Sequence, residues 1–103
     1  MAEPDPRALR VVVVAGTRPN FVKVAPLMRR LRARPGVEAL LVHTGQHYDD
    51  ALSRRFFEDL RIPPPDVNLE VGSGNQGAQT AECLRRFEDL LLRDRPDRVV
   101  VVG

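Results

Sequence analysis

Unbroken apolar runs alternate along the chain with stretches in which apolar residues recur every three or four positions. The first run, Leu9 to Ala15, contains four consecutive valines and no polar–apolar alternation. Such a run predicts a strand buried on both faces, as in a parallel sheet. Residues 98–102 form a second run of this kind, and residues 38–43 form a further apolar strand. Residues 66–71 instead alternate, which predicts a half-exposed strand at the sheet edge.

The stretches between these strands have the period of a helix. In the first, residues 19–34, apolar side chains fall on one face, and Pro26 is expected to kink or break the helix because proline has no N–H to donate to the carbonyl of Val22. A second helix is expected to be capped by Asp49 or Asp50, and a third covers residues 78–93. The inward-facing positions of the second and third helices are predicted to be Leu52, Phe56 and Leu60, and Ala81, Leu84, Phe87 and Leu91.

The element order is therefore β-α-β-α-β-α-β, which predicts an α/β fold with a Rossmann-like parallel sheet and helices on both faces. Because the first and fourth strands have the pattern of buried strands, they should be adjacent and central. This gives the spatial strand order 3-2-1-4, the first half of a doubly wound sheet. We expect residues 1–8 to be a leader and 9–103 to be the N-terminal part of a single domain, a fragment of a longer protein.

Composition and charge exclude several functional classes. A chain of 103 residues allows one small domain. Its net charge is +2, and its arginines are interspersed with acids rather than clustered, which argues against nucleic-acid binding. No apolar stretch approaches the ~20 residues of a membrane span, and no secretory signal is visible. The single cysteine, Cys83, excludes an intrachain disulfide, fits a reducing cytoplasm and is expected to be buried.

The turn after the first strand, Gly16-Thr17-Arg18-Pro19, carries the clearest candidate chemistry. Ligands of such sheets bind at the carboxyl ends of the strands, where a helix N-terminus offers free N–H groups and a positive dipole end to an anion. Arg18 adds a planar guanidinium suited to a phosphate or carboxylate. Lys23, the only lysine, follows about one turn later. The alternative is that both residues are solvated surface cations.

Two further loops are less specific. Residues 44–48 cluster polar groups that suit a sugar or base, but His43 and His47 straddle a strand end, whereas a metal-binding pair at this spacing needs a helix. The alternative role of His47 is purely structural, as a histidine that caps a helix or packs within the loop. Residues 72–77 match G-x-G-x-x-G, yet they follow an edge-type strand and no acid ends the next strand. We therefore interpret this segment as a flexible loop rather than a dinucleotide fingerprint.

Several motifs, none specific alone, occur in an order that resembles the N-terminal part of the non-hydrolysing UDP-N-acetylglucosamine 2-epimerases. They are Gly16–Lys23 with Ala25–Leu27, His43–Asp49, Ile62–Pro63, Asp66–Leu69, Asn75–Gln76 and Pro96–Asp97 before the last valines. The resemblance implies the first part of a two-domain, GT-B-like enzyme. Such enzymes interconvert UDP-N-acetylglucosamine and UDP-N-acetylmannosamine by eliminating UDP to give a glycal and adding it back, without a nicotinamide or metal cofactor.

The resemblance also implies residue roles. Arg18 and Lys23 match the family's substrate-contacting cations, whose charges suit a departing diphosphate. Asn20 stands where many members have glutamate. Polar positions near a second nucleotide-sugar molecule, which activates some bacterial members, are matched by Gln46, His47 and Gln76.

The family further implies a cytoplasmic homo-oligomer in cell-envelope polysaccharide biosynthesis, with a UDP-N-acetylhexosamine substrate and no nucleic-acid or membrane partner. Its acid and base residues would lie beyond Gly103, so the 103-residue chain alone is expected to be inactive. The alternative is a nucleotide-sugar-binding or GT-B-type glycosyltransferase relative without epimerase activity. A receiver-like interaction module is disfavoured because no acids follow the first strand.

Overall fold

The computed structural model describes residues 8–45, 54–59, 61, 64–72 and 74–102. Its elements, in chain order, are β1 (Leu9–Ala15), α1 (Arg18–Ala33), β2 (Val37–His43), α2 (Arg54–Asp59), β3 (Val67–Asn68), α3 (Gln76–Asp94) and β4 (Arg98–Val101). The four strands are parallel and lie in the order β3-β2-β1-β4. The predicted α/β class, element order and strand order 3-2-1-4 are confirmed.

Strand β1 supplies side chains to two hydrophobic cores, one on each face of the sheet. Successive residues of a strand point to opposite faces, so Val11 and Val13 lie in one core and Val12 in the other. The first core is completed by Ala15, Phe21, Val24, Ala25, Met28, Leu41 and Phe57. The second is completed by Val42, Leu69 and Leu90. Helices therefore cover both faces of β1, as predicted for a doubly buried strand.

Helix α1 continues through Pro26, so of the expected kink or break at this proline, the break is wrong and the kink stays a prediction. Pro26 is exposed, whereas Val24 and Met28 on either side of it are completely buried. Burying such a side chain contributes about 1.5–3 kcal/mol. Together these contacts offset the roughly 3 kcal/mol that an interior proline costs. Packing against the sheet therefore keeps the helix continuous.

Strand β4 is the main departure from the predicted core. Val100 packs into the first core, but Val99 is 42% exposed and Val101 is 70% exposed. The predicted adjacency of β4 and β1 is confirmed, but among the described residues β4 lies at the sheet edge, so the prediction that it is buried on both faces is wrong. The physical reason is that β4 pairs with β1 on one side, and α3 covers β1 and β2 but not the outer side chains of β4.

The inward face of α3 is centred on Leu90 and Phe87 rather than on all four predicted positions. Leu90 is buried, but Leu84 is 68% exposed and Ala81 is also exposed, so the prediction is wrong for these two. Each residue advances 100° around a helix, which places Leu84 about 120° from Leu90. Cys83 is half-buried rather than buried, which corrects the expectation for this thiol.

The described part of the predicted second helix is α2, and this helix contributes Phe57 to the first core. The Phe57 and Phe21 rings meet edge to face, with their centroids 5.1 Å apart. The predicted caps Asp49 and Asp50 and the predicted apolar positions Leu52 and Leu60 lie outside the described residues, as does the Phe56 side chain.

Strand β3 has only two residues in its ladder, yet the alternation predicted for residues 66–71 is confirmed. Leu69 is buried and Val67 and Val71 are half-buried, whereas the intervening positions are exposed. The strand lies at the sheet edge, as predicted.

The amino ends of β1 and β4 are tied together by Arg10. Its backbone N–H donates to Asp97 Oδ2 at 2.8 Å, and the Asp97 N–H donates to the Arg10 carbonyl at 2.8 Å. The Arg10 guanidinium also pairs with Asp94 at 2.5 Å. These bonds lie at the edge of the sheet opposite the strand ends where ligands of such folds bind.

Candidate functional site at the carboxyl edge of the sheet

The turn between β1 and α1 is built as its sequence predicts. The chain leaves β1 at Ala15 and passes through Gly16 and Thr17, and Thr17 has extended backbone angles (φ −129°, ψ 165°). The first intrahelical bond runs from the Phe21 N–H to the Thr17 carbonyl at 3.1 Å. Helix α1 begins at Arg18, one residue before the helical stretch 19–34 predicted from the sequence.

Asn20 closes this turn from within the helix. Its Oδ1 accepts hydrogen bonds from the backbone N–H groups of Gly16 at 3.1 Å and Thr17 at 3.2 Å. This role of Asn20 is not among those predicted from the sequence. The available signal was a polar side chain three positions after a threonine at a helix start, the spacing of a capping box.

The two candidate cations, Arg18 and Lys23, lie in α1 after this turn. Arg18 is the first residue of α1, but its side chain lies outside the described part of the structure, whereas Lys23 is exposed. Five positions separate the two residues, which corresponds to about 140° around the helix axis. Their convergence on one ligand therefore depends on the reach of both long side chains, and it stays a prediction.

His43, at the end of β2, connects that strand with the first turn of α1. The side chain is 6% exposed, and its ring meets Phe21 edge to face with centroids 5.0 Å apart. Its Nδ1 accepts a hydrogen bond from the Gly45 N–H at 3.0 Å. An accepting Nδ1 carries no proton, so the neutral ring has its proton on Nε2.

Gly45 sits where no other residue fits. Its φ is +81°, and a Cβ there would lie 2.6 Å from Asn68 Oδ1 and 2.7 Å from the Glu70 backbone nitrogen. The segment 69–72 is bonded closely against it, because the Gly72 N–H donates to the Gly45 carbonyl at 2.8 Å. The candidate activator residues Gln46 and His47 come next in sequence and lie outside the described residues.

Helix α3 is fastened to the same segment. Gln79 Nε2 donates to the Gly72 carbonyl at 2.8 Å, and Arg86 donates to the Leu69 carbonyl at 2.6 Å and to the Glu70 carbonyl at 2.9 Å. These bonds fix the start of α3, where the third candidate activator residue, Gln76, is exposed.

A small ion-pair network on α3 surrounds Glu82. Hydrogen bonds from Arg85 and then from Arg86 lower the pKa of the Glu82 carboxyl. The same contact with Glu82 raises the pKa of Arg85.

The carboxyl edge of the sheet therefore brings together the N-termini of α1 and α3 and the Gly45 turn. Helix N-termini offer N–H groups and positive potential to anions, and the first of these helices begins with an arginine, Arg18. Within the described ranges, His, Cys, Asp and Glu side chains form no group of three placed to hold a metal ion. The arrangement suits binding of an anionic ligand.

Comparison with known proteins identifies the family. A model of the UDP-N-acetylglucosamine 2-epimerase family matches residues 29–103. The chain belongs to this family.

Two relatives illustrate the match. The epimerase-family chain is 43% identical over 95 residues to a UDP-N-acetylglucosamine 2-epimerase homolog of Methanococcus maripaludis, covering 92% of the chain and 26% of the relative. It is 36% identical to the UDP-2,3-diacetamido-2,3-dideoxy-D-glucuronate 2-epimerase of Pseudomonas aeruginosa, covering 92% and 27%. The chain thus spans about a quarter of the length of the curated relatives it matches.

The fold of the epimerase-family chain also matches solved structures. The crystal structure of Methanocaldococcus jannaschii UDP-GlcNAc 2-epimerase in complex with UDP-GlcNAc and UDP superposes with a TM-score of 0.85 at 39% identity, covering 92% of this chain and 26% of that one. The sheet described above is therefore the fold of the corresponding quarter of that enzyme. No helix among the described residues has the length and apolar character that crossing a bilayer requires.

Proposed function

We propose that the chain is the N-terminal part of a UDP-N-acetylglucosamine 2-epimerase, the region 9–103 forming the first part of its Rossmann-like domain. The observation that carries this proposal is the match to the Methanocaldococcus enzyme solved with UDP-GlcNAc and UDP, at 39% identity over nearly the whole chain. The proposed reaction interconverts UDP-N-acetylglucosamine and UDP-N-acetylmannosamine.

The chemistry requires a group that stabilises departing UDP. When the bond between C1 and the diphosphate oxygen breaks, its electron pair goes to that oxygen, and the negative charge on the diphosphate grows. Preorganised cations and helix N–H groups stabilise such developing charge. We assign this role to the N-terminus of α1 with Arg18 and Lys23 as substrate-binding residues.

Removal of the C2 proton and its return to the opposite face need an acid and a base. We assign neither role to a residue of this chain. The chain thus provides one wall of the proposed site and its phosphate-binding groups, and the proton-transfer groups belong to the rest of the enzyme. The elimination and re-addition balance without a redox cofactor, because UDP leaves and returns unchanged.

A second nucleotide-sugar site is part of the same proposal. We assign Gln46, His47 and Gln76 to binding of an activating nucleotide sugar. Support comes from described residues next to them in sequence: Gly45, which directly precedes Gln46, lies against Glu70, and Gln79 donates to the Gly72 carbonyl at the start of α3.

The Pseudomonas relative gives a second candidate substrate, a UDP-linked diacetamido uronate. The higher identity to relatives named for UDP-N-acetylglucosamine, 43% and 39%, favours the N-acetyl sugar. A glycosyltransferase-like relative without epimerase activity is the remaining alternative.

The setting of this enzyme is also proposed. We infer a cytoplasmic homo-oligomer acting in cell-envelope polysaccharide biosynthesis. The exposed Val99 and Val101 of β4 support contact with further protein surface, and an unoxidised half-buried Cys83 is compatible with a reducing compartment.

The test is an NMR assay of the full-length protein with UDP-N-acetylglucosamine in D2O. We expect UDP-N-acetylmannosamine to form and deuterium to enter at C2, because the C2 proton exchanges with solvent during the reaction. Turnover of only the diacetamido uronate would overturn the substrate assignment. Binding of UDP-sugars without turnover of either would favour the glycosyltransferase-like alternative.

Substitution of the two cations tests their role. Arg18→Ala and Lys23→Ala are each expected to lower kcat/KM by about tenfold or more, or roughly 1.4 kcal/mol of transition-state stabilisation. Arg30→Ala is a matched control, because Arg30 is an exposed cation in a later turn of α1. Unchanged kinetics for both variants would show that Arg18 and Lys23 are surface cations.

A further inference from the structure

We propose that Asn20 is a positioning residue for the UDP-sugar site, because its amide oxygen holds the turn that sets where Arg18 enters α1. The inference rests on the proposed function, since it takes Arg18 to be a diphosphate-binding residue. It names a specific requirement of that site beyond the two cations.

The geometry assigns this role to one atom. Asn20 Oδ1 accepts from two successive backbone groups, the N–H of Gly16 at 3.1 Å and the N–H of Thr17 at 3.2 Å. Only an acceptor can face two N–H donors, so these bonds fix the orientation of the side-chain amide. Gly16 is itself buried, so loss of the acceptor would remove the partner that satisfies its N–H.

The consequence reaches Arg18 through the chain. Thr17 precedes Arg18 directly and also accepts the first intrahelical bond from Phe21. A turn released from Asn20 can shift the first residue of α1, and a displacement of about 1 Å at a binding group can cost on the order of 100-fold in rate. Asparagine holds the turn as a neutral group, so it places no negative charge beside a bound diphosphate.

The experiment uses the full-length protein and separates positioning from folding. We would measure kcat/KM and KM for UDP-N-acetylglucosamine, the Kd of UDP and the Tm. The variants are Asn20→Ala, Asn20→Asp, Arg18→Ala and the double variant Arg18→Ala/Asn20→Ala. Asp97→Ala is the matched control, because Asp97 Oδ2 also accepts from a backbone N–H, but at the opposite edge of the sheet.

We expect Asn20→Ala to lower kcat/KM at least fivefold, but less than twofold when Arg18 is already alanine, because the two residues act as one unit. Asn20→Asp retains the acceptor, and its carboxylate in the first turn of α1 is favourable for the helix. Its Tm should therefore equal or exceed that of the wild type, while added charge raises KM more than it lowers kcat. Asp97→Ala should lower Tm and leave kcat/KM unchanged.

Two outcomes would overturn the proposal: wild-type kcat/KM for Asn20→Ala, or an equal cost of this change with and without Arg18. If Asn20→Ala does not fold, Asn20→Gln, which displaces the same oxygen by one methylene, replaces it in the cycle. A wild-type protein that binds UDP without turnover would refute the proposed function, and the Kd of UDP would then decide the role of Asn20. A wild-type protein that does not bind UDP would refute both.

Discussion

Replacing Gly45 by alanine tests the close approach of the β2 turn to the segment after β3. Gly45 has φ +81°, and Gly36, before β2, has φ +80°, but a Cβ at Gly36 would meet nothing within 4 Å. At Gly45 the same atom would lie 2.7 Å from the Cα and the backbone nitrogen of Glu70. The two glycines therefore match in φ and differ in the space available for a Cβ.

The expected magnitudes follow from this difference. A left-handed backbone costs alanine about 1–2 kcal/mol, partly offset by about 0.4–1 kcal/mol from the less flexible unfolded chain. We therefore expect Gly36→Ala to destabilise by about 0.5–1 kcal/mol. Gly45→Ala must also displace backbone, and overpacking of this kind adds about 1–3 kcal/mol. Its total loss of stability should be about 1.5–4 kcal/mol.

The assay is urea denaturation, monitored by far-UV circular dichroism, of the two variants and the unmodified 103-residue chain at one protein concentration, because self-association makes stability concentration-dependent. The quantity compared is the free energy of unfolding, obtained from the midpoint and the m-value. Equal losses for Gly45→Ala and Gly36→Ala would refute the reasoning, because they would show that the contact with Glu70 does not constrain the turn.

Three further predictions concern the pH dependence at Glu82, the activity of the 103-residue chain and its self-association. Because the Glu82 pKa is lowered from its ordinary value of 4.5, its stabilising contribution is present above that pH and is lost as pH falls through the lowered pKa. The Tm of Glu82→Gln should therefore lie below that of the unmodified chain at pH 7 and meet it in acid. The 103-residue chain should show no epimerisation by NMR and should self-associate through β4 in light scattering, with Val101→Lys favouring the monomer because a charged edge resists strand pairing. Turnover at ordinary enzymic rates would contradict the expected inactivity. A monomeric unmodified chain would contradict the expected self-association.

The sequence pattern predicted each secondary-structure element well where nearby residues in the chain determine it. Four valines in β1 indicated burial on both faces, and β1 lies between β2 and β4 with helices on either side. The equally apolar β4 has an exposed Val101. Strands β1 and β4 are equally apolar in sequence. Their difference in burial therefore comes from their positions in the sheet, which composition does not encode.

Helix faces show the same limit. The period of α3 predicted that Leu84 faces inward, whereas the structure exposes Leu84 and buries Leu90. A helix with apolar residues on two adjacent sides has no single face that periodicity selects. Likewise Phe57, next to the predicted Phe56, enters the core because the ring of Phe21 lies opposite it, a contact between elements distant in sequence.

The candidate site likewise contains features that the local sequence predicts and features that it does not. The Gly-Thr-Arg-Pro turn placed the start of α1 correctly, and the spacing from Thr17 to Asn20 contained enough local information to suggest a cap. The constraint on Gly45 depends on Asn68 and Glu70, more than twenty residues away in sequence, so no pattern around the glycine reveals why it must be glycine. The residues that form a turn can be predicted from the local sequence, whereas the close approach of two segments distant in sequence cannot.

The turns at the carboxyl edge use many of their own polar groups to hold themselves. Asn20 satisfies two backbone donors of the first turn, and His43 accepts from Gly45 in the second. The edge-to-face contact between His43 and Phe21 joins the two turns across the sheet. With these side chains committed to structure, the diphosphate binding proposed above would rest on helix N-termini and on Arg18 and Lys23. That division favours a preorganised phosphate-binding wall, which stabilises a leaving diphosphate most effectively when it need not rearrange during the reaction.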